Sequence, residues 1–498
     1  MLFNSLQFFI FFPVVVLLYF IIPDRFKYIW LLAASYYFYM NWNAVYVLLL
    51  LASTVITYTG GLLIDAAEAG KVKKNGKTDK KKTVLITGCV INLGILFVFK
   101  YAGYTMELLT LAGEKAHIGI NIPVYDIILP VGISFYIFQA LGYLIDVYRG
   151  DTPVERNFLR YALFVSFFPQ LVAGPIERSG NLMRQLREVH RFDYERAREG
   201  ILLMIWGYFL KIVLADRIAI VVDKIYGDPG TYGGVYLIVA TVLFAVQIYC
   251  DFAGYSTIAM GAAKVMGIEL MDNFNAPFLS RKVSQLWRSW HISLTSWFRD
   301  YVYIPLGGSR KGRRRKYLNI FIVFLLSGIW HGANITYVIW GGLNGLYQVI
   351  GEILMPVRNR LVRLFSLNRE SIGHRALECI FTFGLFCFSL VFFRADGMTS
   401  ALRILRSVFT VHNPWILFDG SLYELGLDSK NFHLMLICIA ILIFADVLKK
   451  KGICIRKVIA GQDYWCRVLV MVAAICFILM FGIWGSGYDA AGFIYFQF

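Results

Sequence analysis

Apolar blocks recur along the whole chain, separated by short polar or basic stretches. They run over Leu6–Ile22, Tyr28–Met40, Ala44–Ile64, Thr83–Gly103, Tyr125–Val147, Phe158–Ala173, Gly200–Val222, Val235–Met266, Leu318–Trp340, Gly342–Met355, Ala376–Phe393, His433–Leu448 and Arg467–Trp484. A bilayer-crossing helix needs about 20 apolar residues, and most of these blocks approach that length. The pattern predicts an all-α polytopic membrane protein with about eleven transmembrane helices plus re-entrant pieces. Tyr28–Met40 is short for a straight span. Val235–Met266 reads as one long element or as two helices around Gly254, and Leu318–Trp340 as one span. Phe158–Ala173 is interrupted by Pro169 and followed by Gly174-Pro175, so it reads as re-entrant or as a bent hairpin. Broken backbone at membrane depth requires burial in protein or a wet cavity.

Composition agrees with this reading. Of 498 residues, 58% are apolar and only 16% charged, against about 25% charged in a soluble domain. The net charge of +17 is concentrated in clusters that abut the apolar blocks: Lys71–Lys82, Arg184–Arg198, Arg281–Lys316, Arg358–Arg375 and Lys449–Lys457. That distribution follows the positive-inside rule, so the clusters are expected on the cytoplasmic side with both chain termini outside. No basic region stands free of the apolar blocks, which argues against a nucleic-acid partner and for membrane lipids. The first block precedes the first cations, Arg25 and Lys27, the reverse of a secretory signal, and is expected to be an uncleaved span. The eight cysteines lack paired metal or redox spacing and read as packing residues.

Candidate chemistry concentrates in two places. Ser327-Gly328-Ile329-Trp330-His331-Gly332-Ala333-Asn334 puts a histidine inside an apolar run, where an ionisable side chain is costly and marks a functional site. A buried imidazole is favoured in its neutral form, able to take a proton from a hydroxyl nucleophile. Asn334, one helical turn on if the helix is continuous, is placed to orient that ring or to donate to an oxyanion. Gly328 and Gly332 leave room for close approach by a substrate or by another helix. The second place, Gln285 to Arg310, combines Trp287, Arg288, Trp290, His291, Trp297 and Arg299. Here the aromatic residues and arginines equally suit membrane anchoring or ligand contact. His291 is expected near the cytoplasmic surface, where Arg288, Arg299 and Arg310 can attract an anionic donor. Asp251 is a further intramembrane charge, expected to form a structural pair with an arginine or a hydroxyl. Glu177 and Arg178 are placed to fix the turn after Gly174-Pro175. No third ligand suggests a metal between the histidines, and no nucleophile elbow, zinc helix or phosphate loop is present.

Several stretches together resemble the membrane-bound O-acyltransferase (MBOAT) family, in its bacterial branch. They are Phe168-Pro169-Gln170-Leu171-Val172-Ala173-Gly174-Pro175-Ile176, Gln247-Ile248-Tyr249-Cys250-Asp251-Phe252-Ala253-Gly254-Tyr255-Ser256, Asn273-Phe274-Asn275-Ala276-Pro277-Phe278, the Gln285–Arg310 segment and the closing Phe493-Ile494-Tyr495-Phe496-Gln497-Phe498. The resemblance implies one integral-membrane domain over residues 1–498, a helical bundle with re-entrant and amphipathic helices around a central tunnel. Its catalytic core would cover 160–345, with C-terminal transmembrane helices over 346–498.

The same resemblance implies an acyl group, preferably acetyl, moved from a cytoplasmic thioester such as acetyl-CoA to an outer hydroxyl, with no tightly bound cofactor. It puts the catalytic histidine on His331 and the second recurrent histidine on His291, with Trp330, Trp290, Asn334, Arg288 and Arg299 as candidate substrate contacts. Implied partners are a cell-surface polysaccharide acceptor and an extracytoplasmic hydrolase-like acetyltransferase, at the bacterial cytoplasmic membrane. Two alternatives stand beside it: D-alanyl transfer to teichoic acid within the family, and a proton-coupled transporter or flippase using His331 and Asp251. The inverted repeat expected of many transporters is not evident in the sequence.

Overall fold

The computed structural model describes residues 1–69, 79–115, 117, 129–484 and 494. The expected basic cluster Lys71–Lys82 therefore lies largely outside the described residues, as do the first residues of the Tyr125–Val147 block and most of the closing Phe493–Phe498 motif. Among the described residues the chain is helical, without strands. Six helices among the described residues are long and apolar enough to cross a bilayer: Ala44–Glu68, Lys80–Lys100, Val235–Val265, Ile372–Arg394, Ser429–Lys450 and Tyr464–Phe481. Leu6–Ile21 is apolar but shorter. The other blocks in the expected set of about eleven form shorter or more polar helices, Lys27–Met40 among them.

One sequence reading is resolved and one changes. Of the two alternatives for Val235–Met266, one continuous helix is present, Val235–Val265, with no break at Gly254. Leu318–Trp340 is not one span: a helix ends at His331 and another begins at Ile335.

The chain divides into two compact units. The first comprises Met1–Met204, Tyr255–Met271 and Ala490–Gln497. Its core joins aromatic side chains of its first helices, with Phe38 beside Phe3, Phe8, Phe11 and Phe168. Buried hydroxyls and amides bond to one another as low-dielectric surroundings demand: Ser53 donates to Asn92 at 2.6 Å and Tyr161 to Thr57 at 2.7 Å. The interruption expected at Pro169 falls at Phe167, between helices Phe158–Ser166 and Phe168–Leu171, with Pro169 in the first turn of the second. Glu177 accepts from the backbone N–H of Met271 and from Asn181, so it fixes the turn after Gly174-Pro175. Ser179–Arg187 follows as an amphipathic helix, burying Leu182, Met183 and Leu186 while Arg184 and Arg187 lie in its last turn.

The second unit comprises Ile205–Gly254 and Asp272–Asp489, with Phe498. A π-helical stretch, Phe209–Ala215, carries the buried Lys211. Its ammonium reaches Asp251 at 2.6 Å and Asp216 at 2.8 Å. Asp251, expected to have a partner such as an arginine or a hydroxyl, meets the ammonium of a lysine. In the hairpin of Gly312–His331 and Ile335–Ile353, Gly328 lies against the Tyr337 carbonyl and Gly341 against the Phe324 carbonyl. A side chain at either glycine would collide with backbone, so the two helices approach as closely as small residues permit.

Candidate active site

The second unit brings both tryptophan-histidine pairs into one aromatic cluster. Trp330 connects them, with its ring centroid 6.1 Å from that of His291 and 4.8 Å from that of His331. Both histidines and both preceding tryptophans are buried.

His331 occupies the last position of its helix because Gly332 turns the backbone extended. Only three residues then separate the two antiparallel helices of the hairpin. The imidazole is walled by Trp340 and Phe393, with centroids 5.0 and 5.1 Å away and both rings nearly perpendicular to it. Trp340 also meets Trp287 at 5.5 Å. The indole N–H groups of Trp340, which packs on His331, and of Trp287, which packs on Trp340, and the side-chain oxygen of Asn344 are buried without a hydrogen-bond partner among the described residues. Buried polar groups are nearly always bonded, so each is suited to meet a polar ligand or water.

His291 is held differently. Its backbone lies in the left-handed region, φ 42° and ψ 56°, at the start of the short helix Ile292–Phe298. A non-glycine residue there costs on the order of 1–3 kcal/mol and persists only where surrounding bonds enforce it. They do so here. The Ile292 N–H donates to the Asn273 carbonyl and the Asn275 N–H to the Ser289 carbonyl, both at 2.9 Å, clipping the turn at both sides. The Asn273 side-chain oxygen accepts from the Ser293 N–H and hydroxyl and faces His291 Nδ1 at 3.2 Å. With a carbonyl oxygen opposite, Nδ1 carries the proton and Nε2 keeps the lone pair. Phe252 packs edge-on against the ring, centroids 4.6 Å apart. His291 lies outside the six apolar spans, and burial pushes its imidazole down from 6.5 to about 3, so the ring is neutral near pH 7.

The remaining candidates divide. Trp290 packs among Phe274, Phe386 and Tyr249 and supports the turn. Arg288 and Arg299 are exposed rather than gathered at the histidines, and Arg299 pairs with Asp300 at 2.7 Å. Asn334 is not one helical turn from His331, because the helix ends between them. Its side-chain oxygen instead caps the next helix by accepting from the Thr336 N–H at 3.0 Å. Among the described residues no group of three or more His, Cys, Asp or Glu converges as a metal-ligand set.

Sequence reasoning quoted Asn273 within a motif without giving it a task, and did not select Ser293, Phe252, Trp340, Asn344 or Phe393. For Trp340 a signal was available: Trp340-Gly341-Gly342 repeats the pairing of bulk with small residues found around Trp330.

Comparison with known proteins bears directly on this constellation. The profile of MBOAT, the membrane-bound O-acyltransferase family, matches residues 34–393, which include both histidines and the aromatic residues around them. The chain is 37% identical over 417 residues to the probable alginate O-acetylase of Pseudomonas aeruginosa, covering 82% of this chain and 75% of that one. It is 31% identical over 464 residues to the peptidoglycan O-acetyltransferase of Helicobacter pylori, covering 87% and 83%. It is 25% identical over 313 residues to the teichoic acid D-alanyltransferase of Streptococcus thermophilus, covering 60% and 70%. The chain belongs to the membrane-bound O-acyltransferase family.

Proposed function

We propose that this enzyme transfers an acetyl group from a cytoplasmic thioester, with acetyl-CoA as the simplest donor, to a hydroxyl on a cell-surface polysaccharide or on an extracytoplasmic partner transferase. The observation that carries the reading is the joining of His291 and His331 through Trp330 in one buried cluster bordered by unspent hydrogen-bonding groups. Acetyl is favoured over D-alanyl because the acetyltransferases named above match over more of the chain and at higher identity. Membership in an acyltransferase family leaves the transporter alternative without support.

In this mechanism His331 is the general base. It takes the acceptor hydroxyl proton as the oxygen attacks the thioester carbonyl, and the tetrahedral intermediate expels the thiolate, which recovers that proton from the imidazolium. One ester forms and one thioester breaks, leaving a free thiol. The Trp340 and Trp287 indole N–H groups supply donors for the carbonyl oxygen as its charge grows. His291, neutral and protonated on Nδ1, presents Nε2 as an acceptor that holds the acceptor hydroxyl in place. An extracytoplasmic hydrolase-like acetyltransferase is the expected recipient where the enzyme does not act on polymer directly.

The test is transfer of radiolabelled acetyl from acetyl-CoA in membranes containing wild type, His331→Ala or His291→Ala. General-base catalysis contributes about 100- to 10,000-fold, so the His331 variant should lose at least about 100-fold. Retention of wild-type transfer by that variant would overturn the assignment.

A further inference from the structure

We propose a binding site for a phosphate ester in the first unit, at the basic edge expected to face the cytoplasm. It is a cavity of about 110 Å³ lined by Arg25, Lys27, Tyr28, Arg160, Arg187 and His190, among others. About 10–15 Å³ of such space already admits one water, so the cavity has room for a tetrahedral phosphate. Four cations line it against two carboxylates, Asp24 and Glu188, so its field favours an anion.

The cations are built into the fold. Lys27 opens the helix Lys27–Met40, and Arg160 lies in Phe158–Ser166. Lys27 is buried, and its ammonium donates to the His190 carbonyl at 3.0 Å and meets Asp24 at 2.8 Å, which leaves one of its three N–H groups to spend. Arg160 reaches Glu155 only at 3.7 Å and stacks its guanidinium 5.4 Å from the Tyr28 ring centroid. Its Nε is buried without a partner among the described residues. Arg25 forms no ion pair among the described residues and is exposed at the rim. Arg187 already grips Glu155 through two nitrogens, at 2.9 and 2.6 Å, and contributes charge rather than a vacant donor. A phosphate oxygen suits the planar guanidinium of Arg160 and the spare Lys27 N–H together. Nearby, Phe20 packs against Phe192, and Phe192 and Tyr194 are exposed, as befits a membrane–water boundary.

Two sources carry this chemistry: the headgroup of an anionic phospholipid, or a free phosphate ester. The experiment uses the full chain in neutral detergent and follows thermal unfolding in titrations with phosphatidylglycerol, phosphatidylcholine and inorganic phosphate, the last balanced with chloride. The probe variant is Arg25→Gln with Arg160→Gln. A control, Arg313→Gln with Arg314→Gln, removes the same charge from another basic cluster. Wild type and control should be stabilised by phosphatidylglycerol, and the probe variant should need at least about tenfold more, the loss expected from one charge-assisted hydrogen bond. Stabilisation by phosphatidylglycerol alone assigns the lipid headgroup, and stabilisation by inorganic phosphate as well assigns a site open to free esters. An equal response of probe variant and wild type, an equal loss in the control, or no response of wild type to either anion overturns the site. If the double variant does not fold, Arg25→Gln alone is the probe, read by the same criteria with a smaller expected loss of about threefold, because its side chain is exposed.

Discussion

The two histidines share one aromatic cluster, yet opposite physical means hold them. His291 is fixed by polar bonds: a left-handed backbone is enforced by the Asn273 carbonyl and side chain, and the ring is set by the same amide. His331 is fixed by packing: a helix end, two glycine contacts with backbone and walls of Trp340 and Phe393. A site assembled from two independently supported parts has two kinds of weak point. The turn fails when a hydrogen bond is lost, and the hairpin fails when volume is added.

The largest separation should appear in the chemistry itself. His331→Ala is expected to lose about 100- to 10,000-fold in acetyl transfer while His291→Ala loses about 10- to 100-fold, measured as turnover in the same membranes. A reversed order would move the base to the clamped turn.

Next in size is the hairpin. Gly341→Val drives a side chain into the Phe324 carbonyl, and such overpacking costs about 1–3 kcal/mol or more. Unfolding in detergent should shift down, with activity lost in parallel. Asn273→Ala should give a different signature. Removing a buried acceptor of several bonds costs about 1–3 kcal/mol, felt mainly at His291, so kcat should fall more than Tm. Equal loss of stability in both variants would erase the distinction between polar clamp and packed wall.

Trp340→Phe keeps an aromatic wall but removes the unspent N–H together with part of the buried ring. If that N–H stabilises developing charge, kcat falls about tenfold or more at near-normal KM, beyond the modest fall in Tm that the lost ring volume causes. A normal kcat would reduce Trp340 to a packing role.

The smallest expected effect is in pH. The His291 pKa is lowered in the folded protein from 6.5 to about 3 by burial, so the unfolded chain binds the extra proton first. That contribution to stability is complete above pH 6.5 and is lost as pH falls toward 3. Melting between pH 7.5 and 5 should therefore decline in wild type and decline less in His291→Asn, and an identical slope would contradict the burial.

Sequence alone carried the helical membrane character, because apolar length and clustered charge are properties of the chain before it folds. It singled out His331 and His291, since ionisable and aromatic residues stand out against an apolar background, and it placed a break near Pro169. It misread Leu318–Trp340 as one span, because composition does not register the extended backbone at Gly332 that ends a helix on His331 and frees Asn334 to cap the next. It left Asn273 without a task because the residues it bonds lie 18 and 20 positions away, and no local periodicity links them. Tertiary structure decided that Lys211 answers Asp251, that Trp330 joins the two histidines, and that Arg288 and Arg299 stay at the surface. The physical reason is common to all three: hydrophobic pattern records which residues leave water, whereas the partner each buried polar group meets is settled only when distant segments pack together.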